Sequence, residues 1–437
     1  MEMTLHTPRL NGVMRAPSSK SEAHRALIAA ALAGLYGAGD GIRRVRCTDL
    51  NEDIEATVRC LSALGAEIER SGEVFSVTPI RKIPSNAVLD CGESGSTLRF
   101  LLPVCCALGG ITGVPKGFTV SLMGHGRLPE RPLSPLYEEL VAHGAILSPM
   151  GTNPLVVQGK LTAGSYTVDG GVSSQFISGL LFALPLLAEN STLSVTGRIE
   201  SVPYIGMTVD AISRVTGAIG GDLPHFTVAG RSSRPSKLPD NRASLVGGDW
   251  SGAAFFLTAG VLGRKGTSVT LTGLDLHSRQ GDKAIVEVLR RMGGRITVTE
   301  SGELIASPSR LCGVEINAAQ IPDLVPILAV AASVAEGESR IYGAARLRLK
   351  ESDRIKTVCD LLSALGGDVT ETPDGLFIRG VSSLRGGVVN AAGDHRIAMS
   401  GAVAATVCRE ATLVVGAESV AKSYPAFWEE FQRLSLK

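Results

Sequence analysis

Apolar positions along this chain follow two helical patterns that alternate. In the first, apolar residues recur on one side of the helix and the segment ends at glycine, which adopts a left-handed C-cap conformation with little strain. Five segments show it: "TVRCLSALGAEI", "LYEELVAHGAIL", "DAISRVTGAIGGDL", "VEVLRRMGGRIT" and "VCDLLSALGGDVT", with Gly65, Gly144, Gly220, Gly293 and Gly366 at their ends. These segments predict amphipathic surface helices, and "PAFWEEFQRLSLK" near the C-terminus supplies a sixth.

The second pattern is a polar cluster followed by a helix that is apolar on every side. Its members are "SSKSEAHRALIAAALA", "GESGSTLRFLLPVCCALG", "GGVSSQFISGLLFALPLL", "GGDWSGAAFFLTAGVL", "QIPDLVPILAVAASVA" and "AGDHRIAMSGAVAATV". A helix without a polar face is buried. The two patterns together predict a unit of strand, buried helix, strand, amphipathic helix and further strands, repeated six times at intervals of about 75 residues.

The repeat has two consequences for the architecture. The sixth amphipathic helix ends at the C-terminus, so the strand that follows it must come from the N-terminal segment "MTLHTPRLNGVM". The length of 437 residues favours two domains. A solenoid without chemistry is the alternative for a repetitive chain. The polar clusters, however, differ strongly from unit to unit, and this favours an active site.

Composition narrows the class of protein. Apolar residues make up 44%, aromatic residues 4%, and 51 glycines are present, which is typical of an α/β protein packed with aliphatic and small side chains. The 43 Lys and Arg against 42 Asp and Glu argue against nucleic acid or an anionic membrane as partner. The longest apolar stretch is too short to span a bilayer, and the N-terminus reads as neither a signal nor a transit peptide. Eight scattered cysteines without a CxxC pair predict reduced thiols in the cytoplasm.

Cations stand at the starts of buried helices, where they oppose the helix dipole. Ser19 to Glu22 fit a capping box, but capping does not explain Lys20 or Arg25. A bound anion would explain both. If the buried helices run parallel, their N-terminal N–H groups gather on one face of each domain, and two such faces would form an anion-binding cleft.

The candidate cleft combines cations with two carboxylates. The cations are Lys20, Arg25, Arg127, Lys350, Arg354, Arg396 and Lys422; the carboxylates are Asp323 and Glu351. An excess of cations implies substrates with several negative charges, and the carboxylates could move protons. Asp323 is either a helix N-cap or a base, and the sequence leaves both open. Because metal-ligand clusters, covalent triads and cofactor fingerprints are missing from the sequence, we expect no metal and no cofactor.

Nine motifs identify the family that the chain resembles. In order they are "SSKSEAHRAL", "GESGSTLRF", "GHGRLPERPL", "GGVSSQF", "SVPYIGMT", "QIPD", "LKESDRI", "GDHRIAM" and "AKSYPAFW". Their order and spacing resemble the 5-enolpyruvylshikimate-3-phosphate (EPSP) synthases over essentially the whole chain. The resemblance implies a two-domain inside-out α/β barrel with three repeats per domain, residues 19–245 forming one domain and 1–18 plus 246–437 the other. It also implies transfer of enolpyruvyl from phosphoenolpyruvate to shikimate 3-phosphate through a tetrahedral intermediate, without a cofactor.

The resemblance also implies roles for individual residues. The catalytic group would be Asp323 as the base for the 5-hydroxyl, Glu351 as the acid for the methylene carbon, Lys20 and His395. Shikimate 3-phosphate would contact Lys20, Ser21, Arg25, Ser173, Ser174, Gln175, Ser201, Asp323, Arg346 and Lys350. Phosphoenolpyruvate would contact Lys20, Gly95, Arg127, Gln175, Arg354, Arg396 and Lys422. Ser18, Glu93 and Arg346 depart from residues common in the family.

The sequence argues against two alternative functions. A UDP-N-acetylglucosamine enolpyruvyltransferase would carry a Lys-Asn pair and a loop cysteine, whereas here Ser21 follows Lys20 and "GHGRLPERPL" contains no cysteine. A non-catalytic binding module would not need both Asp323 and Glu351. Gly95 keeps the small residue of inhibitor-sensitive family members, so the resemblance implies that glyphosate competes with phosphoenolpyruvate. We also expect a cytoplasmic monomer.

Overall fold

The chain forms two compact units in a computed structural model that describes residues 1–233 and 242–436. Unit A is Lys20–Val246, and unit B combines Met1–Ser19 with Gly247–Lys437. Each unit has its own hydrophobic core. Among the described residues no helix is long and apolar enough to cross a membrane.

Helices and strands alternate along both units. The α-helices are α1 Lys20–Leu32, α2 Glu52–Ala63, α3 Gly95–Leu108, α4 Leu136–Ala142, α5 Ser174–Ala183, α6 Val202–Ser213, α7 Trp250–Val261, α8 Ile285–Arg291, α9 Val325–Ser333, α10 Arg354–Ala364, α11 His395–Ala405 and α12 Phe427–Leu434. The strands of the first half are β1 Glu2–Leu5, β2 Arg9–Leu10, β3 Gly12–Arg15, β4 Arg43–Arg46, β5 Glu67–Ser71, β6 Val74–Thr78, β7 Asn86–Asp90, β8 Thr119–Met123, β9 Ala145–Leu147, β10 Leu155–Gly159, β11 Ser165–Asp169, β12 Ser191–Thr196, β13 Ile219–Asp222 and β14 His225–Val228. Those of the second half are β15 Ala243–Leu245, β16 Val269–Thr272, β17 Arg295–Val298, β18 Leu304–Ser307, β19 Glu315–Asn317, β20 Glu338–Tyr342, β21 Asp368–Thr372, β22 Gly375–Arg379, β23 Gly387–Asn390, β24 Thr412–Val415 and β25 Ser435–Leu436.

Small mixed sheets surround the buried helices of each unit. Unit A holds the four-stranded orders β7-β8-β10-β9, β11-β12-β14-β13 and β15-β4-β6-β5. Unit B holds β17-β18-β16-β3, β19-β20-β22-β21, the three-stranded β1-β24-β23 and the pair β2-β25. Each sheet of three or four strands contains one parallel pair, such as β7 with β8 and β19 with β20, and these two pairs are connected by the buried helices α3 and α9.

The N-terminal segment belongs to unit B. β1 pairs antiparallel with β24 and β2 with β25, so the first strands complete the sixth repeat as the sequence predicts. β3 pairs in parallel with β16, whereas β15 pairs in parallel with β4 in unit A. The strand before α1, β3, therefore joins the sheet of the fourth repeat, and the strand before α7, β15, joins the sheet of the first repeat.

The two predicted classes of helix differ in burial. Every residue of α9 is buried, whereas α10 buries one side through residues such as Ile355, Val358 and Leu362. Four predicted C-terminal glycines have positive φ values directly after amphipathic helices, at Gly65, Gly144, Gly293 and Gly366. The prediction for Gly220 is wrong. α6 ends at Ser213, and Gly220 lies in β13, where a Cβ atom would approach Thr227 Oγ1 to 2.8 Å.

Candidate active site

Asp323 is the first predicted site residue of unit B, and it lies in the 3-10 turn Pro322–Leu324 that leads into α9. Its side chain caps neither the turn nor the helix. Instead Arg354 Nη1 donates to Oδ1 at 2.8 Å and Arg396 Nη2 donates to Oδ2 at 3.1 Å. Of the two roles that the sequence leaves open, the N-cap is therefore ruled out, and the carboxylate is oriented by two arginines.

Arg354 is the centre of the charged cluster in unit B. It is the first residue of α10, its side chain is 1% exposed, and it bonds three carboxylates. Its Nε donates to Asp394 Oδ2 at 2.7 Å, and its Nη2 donates to Glu351 Oε2 at 2.8 Å. Burial lowers the pKa of the guanidinium, but the charges of Asp394, Glu351 and Asp323 more than offset this effect, so the net shift is upward.

Asp394 caps the start of the buried helix α11 and also binds Arg354. It is the N-cap of α11, where its Oδ1 accepts a hydrogen bond from the Arg396 N–H at 3.0 Å. Ser352 Oγ donates to its other oxygen at 3.0 Å. One fully buried carboxylate therefore fixes Arg354 and the backbone of Arg396 together. As a result, the guanidinium groups of Arg354 and Arg396 both donate hydrogen bonds to Asp323.

Glu351 lies beside a second cation. Lys422 Nζ is 3.7 Å from Glu351 Oε1, and both side chains are largely buried. Lys422 ends the 3-10 helix Ala417–Lys422. Asp323 and Glu351 are thus bonded to the same guanidinium, while each also faces a further cation. Such a pair of carboxylates can exchange protons with a substrate that displaces the arginine contacts.

The electrostatics of Asp323 and Lys350 follow from this packing. Burial raises the pKa of Asp323, but Arg396, Lys350 and Arg354 together hold it well below its usual range. Lys350 Nζ is 3.9 Å from Asp323 Oδ1. Burial lowers the pKa of Lys350 to about 8, helped by Arg354 and Arg346 and opposed by Asp323. Lys350 is therefore mostly an ammonium at neutral pH and loses its proton at a lower pH than an ordinary lysine.

Two further predicted residues lie in unit B. His395 is the first residue of α11 and is buried, with Nδ1 at 3.9 Å from Asp394 Oδ1. Arg346 lies in the 3-10 helix Ala345–Leu349, and its Nη2 donates to the carbonyl of Ala319 at 3.0 Å.

Asp282 is a carboxylate of this region that sequence reasoning missed. It is fully buried in the 3-10 helix Gly281–Ala284, and its Oδ2 accepts a hydrogen bond from Ser251 at the start of α7. Within the part of the chain that the structure describes, its Oδ1 has no hydrogen-bond partner. Burial and the charge of Asp323 raise the pKa of Asp282 to about 7, against the opposite effect of Arg396.

Lys20 is the first predicted site residue of unit A. It opens α1, and its Nζ donates to Asp53 Oδ2 at 2.8 Å, with 17% of the lysine side chain exposed. Asp53 belongs to the first turn of α2, where a negative charge suits the dipole. This carboxylate holds the ammonium in one place and leaves part of it accessible to a ligand.

Arg25 is buried and joins α1 to α6. Its Nε donates to Thr208 Oγ1 at 2.8 Å, its Nη1 to the Ser21 carbonyl at 2.7 Å and its Nη2 to the Tyr204 carbonyl at 3.0 Å. The guanidinium carbon lies 4.9 Å from the centre of the Phe100 ring. Burial lowers the pKa of Arg25 to about 10, so it stays charged at neutral pH. Part of its role is therefore to position α6.

The hydroxyl cluster of unit A surrounds the start of α5. Ser173 is the N-cap and accepts from the Gln175 N–H at 3.3 Å, and Ser174 is buried behind it. The Gln175 side chain donates to Ser96 Oγ at 2.9 Å and accepts from Arg99 Nη1 at 2.9 Å. Ser201, directly before α6, is buried and has a left-handed φ of 54°.

Gly95 and Arg127 complete the predicted set. Gly95 is the first residue of α3, and a Cβ atom there would come within 2.7 Å of Arg131 Nη1. A larger residue at position 95 would therefore require the Arg131 guanidinium to move. Arg127 precedes the 3-10 turn Leu128–Glu130 and is exposed.

The balance of charge differs from that expected from sequence. The sequence pointed to only two carboxylates among the candidate residues, whereas the structure adds Asp53 in unit A and Asp282 and Asp394 in unit B. They were missed because acidic residues in helix caps and first turns are common and carry no distinctive motif. Among residues 1–233 and 242–436, no group of three or more His, Cys, Asp and Glu could hold a metal ion.

Comparison with known proteins gives one family. A family model described as EPSP synthase (3-phosphoshikimate 1-carboxyvinyltransferase) matches residues 6–431. A protein of that name from Clostridium kluyveri is 39% identical over 435 residues, covering 99% of this chain and 97% of its own. Another from Clostridium perfringens (strain ATCC 13124) is 40% identical, covering 99% and 98%. The solved EPSP synthase of Acinetobacter baumannii superimposes with a TM-score of 0.77 at 25% identity, covering 100% of this chain and 98% of that one. These matches span the whole chain, and they show that it belongs to the EPSP synthase family.

Proposed function

We propose that this chain transfers the enolpyruvyl group of phosphoenolpyruvate to the 5-hydroxyl of shikimate 3-phosphate. Phosphate is the second product, and the reaction belongs to the shikimate pathway that leads to chorismate and the aromatic amino acids. The observation that carries the proposal in this structure is the cluster of unit B, in which Arg354 bonds Asp323 and Glu351 at 2.8 Å each. Family membership identifies the chemistry that such a cluster serves.

The transfer consists of an addition and an elimination. In the addition, an acid protonates the methylene carbon of phosphoenolpyruvate, a base takes the proton of the 5-hydroxyl, and that oxygen attacks the central carbon. In the elimination, the new methyl group loses a proton, the carbon–carbon double bond returns, and the bond from carbon to the phosphate oxygen breaks. We assign the base of the addition to Asp323 and the acid to Glu351, with Lys20 and His395 assisting.

The charges around Asp323 support its assignment. A carboxylate whose pKa is held well below the usual range is ionised but weakly basic. When the anionic groups of phosphoenolpyruvate occupy Arg354, Arg396 and Lys422, they offset the positive charge that acts on Asp323. The pKa of Asp323 then rises, and the carboxylate becomes a stronger base at the stage when the 5-hydroxyl needs one.

We assign the remaining contacts to the two substrates as the family pattern implies. Phosphoenolpyruvate would also contact Lys20, Gly95, Arg127 and Gln175. Shikimate 3-phosphate would contact Lys20, Ser21, Arg25, Ser173, Ser174, Gln175, Ser201, Asp323, Arg346 and Lys350. Ser173 and Ser174 at the start of α5 suit the phosphate, since hydroxyl and backbone N–H donors at a helix N-terminus favour an anion.

Three further properties belong to the proposal. We expect glyphosate to compete with phosphoenolpyruvate, because Gly95 leaves room that a larger residue would take from Arg131. We expect the enzyme to act as a monomer. We place it in the cytoplasm, because all eight cysteines are free and this suits a reducing compartment.

Phosphate release measured with two acceptors tests the proposal. Purified protein with phosphoenolpyruvate should release phosphate when shikimate 3-phosphate is added and not when UDP-N-acetylglucosamine is added. Asp323→Asn should abolish the release, while Asp360→Asn, at an exposed i,i+4 pair with Lys356, should leave it unchanged. Release with UDP-N-acetylglucosamine alone would overturn the proposal in favour of the other enolpyruvyl transferase.

A further inference from the structure

Unit B contains a cavity of about 830 Å³ that is open to solvent and lies away from the charged cluster. Its apolar floor includes Leu262, Val334 and Val407, which directly follow or lie just beyond the C-terminal ends of α7, α9 and α11. Asp323 precedes α9 and His395 begins α11, so the cavity lies at the opposite ends of these helices. With 9 residues in α9, about 14 Å of helix separate the two places.

The floor residues are partly exposed, unlike the rest of their helices. All residues of α9 and α11 are buried, whereas Val334 and Val407 are half-buried. Leu262 has the same intermediate exposure after a largely buried α7. Apolar side chains of the core are therefore accessible to a ligand at this point.

Three cations surround this floor. Lys265 lies in the loop after α7, Arg295 in β17 and Arg310 in the segment after β18. Arg295 Nε donates to the Pro308 carbonyl at 3.2 Å, which orients the guanidinium, and Arg310 Nη2 is 3.0 Å from Glu336 Oε2. Thr267, Thr297, Ser307 and Ser309 add hydroxyl groups to the lining.

The helix dipole does not account for these cations. A positive charge near a helix C-terminus is stabilising, but the effect falls off within the last turn. Arg295 and Arg310 are not on a helix, and Lys265 lies four residues beyond the end of α7 at Val261. The last turns of α7, α9 and α11 themselves carry no basic residue.

In unit A, two of the segments that follow buried helices contribute buried side chains. After α1, Tyr36 is fully buried and its hydroxyl donates to the Phe182 carbonyl at 2.7 Å. The 3-10 turn Leu184–Leu186 after α5 is also buried. In unit B the segment after α7 instead contains Gly263, Lys265 and Gly266 and leaves a cavity.

We propose that this cavity binds a small organic anion with an apolar body, of the aromatic carboxylate class. The apolar floor would take the ring, and Lys265, Arg295 and Arg310 would take the carboxylate. The volume lies in the usual range of ligand pockets, about 300–1,000 Å³. This site is independent of the substrate contacts proposed above.

Ligand-observed saturation-transfer NMR with 3-phenylpropionate tests the proposal, with 3-phenylpropionamide as the neutral match. The full-length protein should bind the carboxylate at least about tenfold more tightly than the amide, since a charge-assisted bond is worth roughly that factor. Lys265→Glu should weaken binding about tenfold, and Thr297→Trp, which fills the cavity, should do the same. Arg264→Glu is the control, because Arg264 is exposed beside Lys265 but does not line the cavity.

Circular dichroism confirms that each variant is folded, because Thr297→Trp adds a third tryptophan to the two of the unaltered chain and so changes the fluorescence by itself. Equal affinity for Lys265→Glu, Thr297→Trp and the unaltered protein would overturn the proposal, because the probe would then be bound elsewhere. Equal affinity for the amide would also overturn it. Displacement of the probe by inorganic phosphate at an equal concentration would overturn it too, since a bare anion needs no apolar floor.

Discussion

Arg354→Met removes the centre of the charged cluster and leaves three carboxylates without their shared cation. Asp394 is fully buried and loses two hydrogen bonds, at 2.7 and 3.2 Å, while keeping those from Ser352 and the Arg396 N–H. Asp323 keeps Arg396, and Glu351 keeps Lys422. The largest cost therefore comes from Asp394, which has no other side-chain cation within salt-bridge distance among the described residues apart from His395.

Removing one partner of a buried ion pair costs about 3–5 kcal/mol. Because every carboxylate retains some donors, we expect the lower end, about 3 kcal/mol. For a unit of this size, each kcal/mol lowers the melting temperature by about 2–4 °C, so the expected loss is about 6–12 °C. Arg348→Met is the matched control, because Arg348 is paired with Asp353 and Glu371 but is 30% exposed. It should cost about 1 kcal/mol or less.

Thermal unfolding followed by tryptophan fluorescence measures the effect on unit B, which contains Trp250 and Trp428. The sign of the pH dependence is fixed by Asp323, whose pKa is lower in the folded chain than in the unfolded one. Stability from such a group is present above the unfolded pKa of about 4 and is lost as the pH falls below it. The part of the Arg354→Met deficit that comes from Asp323 should therefore be constant between pH 5 and 7 and shrink below about pH 4. A loss under 2 °C, or one equal to that of Arg348→Met, would refute the reasoning.

Three further predictions follow from single contacts. In urea unfolding, Asp282→Asn should become more stable relative to the unaltered protein as the pH rises from about 4 to 7. The reason is that the pKa of Asp282 is raised to about 7, so the ionised carboxylate destabilises the fold. A difference in stability that does not change with pH would contradict this. Gly95→Ala should displace Arg131, and in steady-state kinetics it should raise the KM for phosphoenolpyruvate and weaken inhibition by glyphosate. Unchanged values would show that the position of the Arg131 guanidinium does not affect the binding of either compound. Lys20→Met should abolish turnover while its circular dichroism spectrum stays unchanged, whereas Asp53→Asn should retain partial activity. If Lys20→Met unfolds instead, the role of Lys20 is structural.

The repeat of buried and amphipathic helices could be predicted because the spacing of apolar residues shows directly which sides of a helix are buried. α9 and α10 illustrate this, since one has no polar face and the other has one. The prediction that Gly220 ends a helix was wrong because glycine is also needed in strands that pack closely, and Gly220 lies in β13 against Thr227. The two-domain α/β fold with six repeats is the fold of the family.

The partners within the candidate site could not be predicted from sequence. Lys20 pairs with Asp53 across 33 positions, and Arg354 with Asp394 across 40 positions. No periodic pattern links such residues, because their contact results from how helices pack. The sequence therefore supplied the two carboxylates assigned to proton transfer and the cations that lower the pKa of Asp323, while Asp53, Asp282 and Asp394 were found only in the structure.

The central claim is that the bond from carbon to the phosphate oxygen breaks, and phosphoenolpyruvate labelled with ¹⁸O in its bridging oxygen tests it most directly. The labelled compound is turned over with shikimate 3-phosphate, and the ³¹P NMR signal of the released phosphate is recorded. Enolpyruvyl transfer predicts that the label leaves with the phosphate and shifts its signal. An unlabelled phosphate signal, with the ¹⁸O retained in the organic product, would mean that the phosphorus–oxygen bond breaks and would contradict the account.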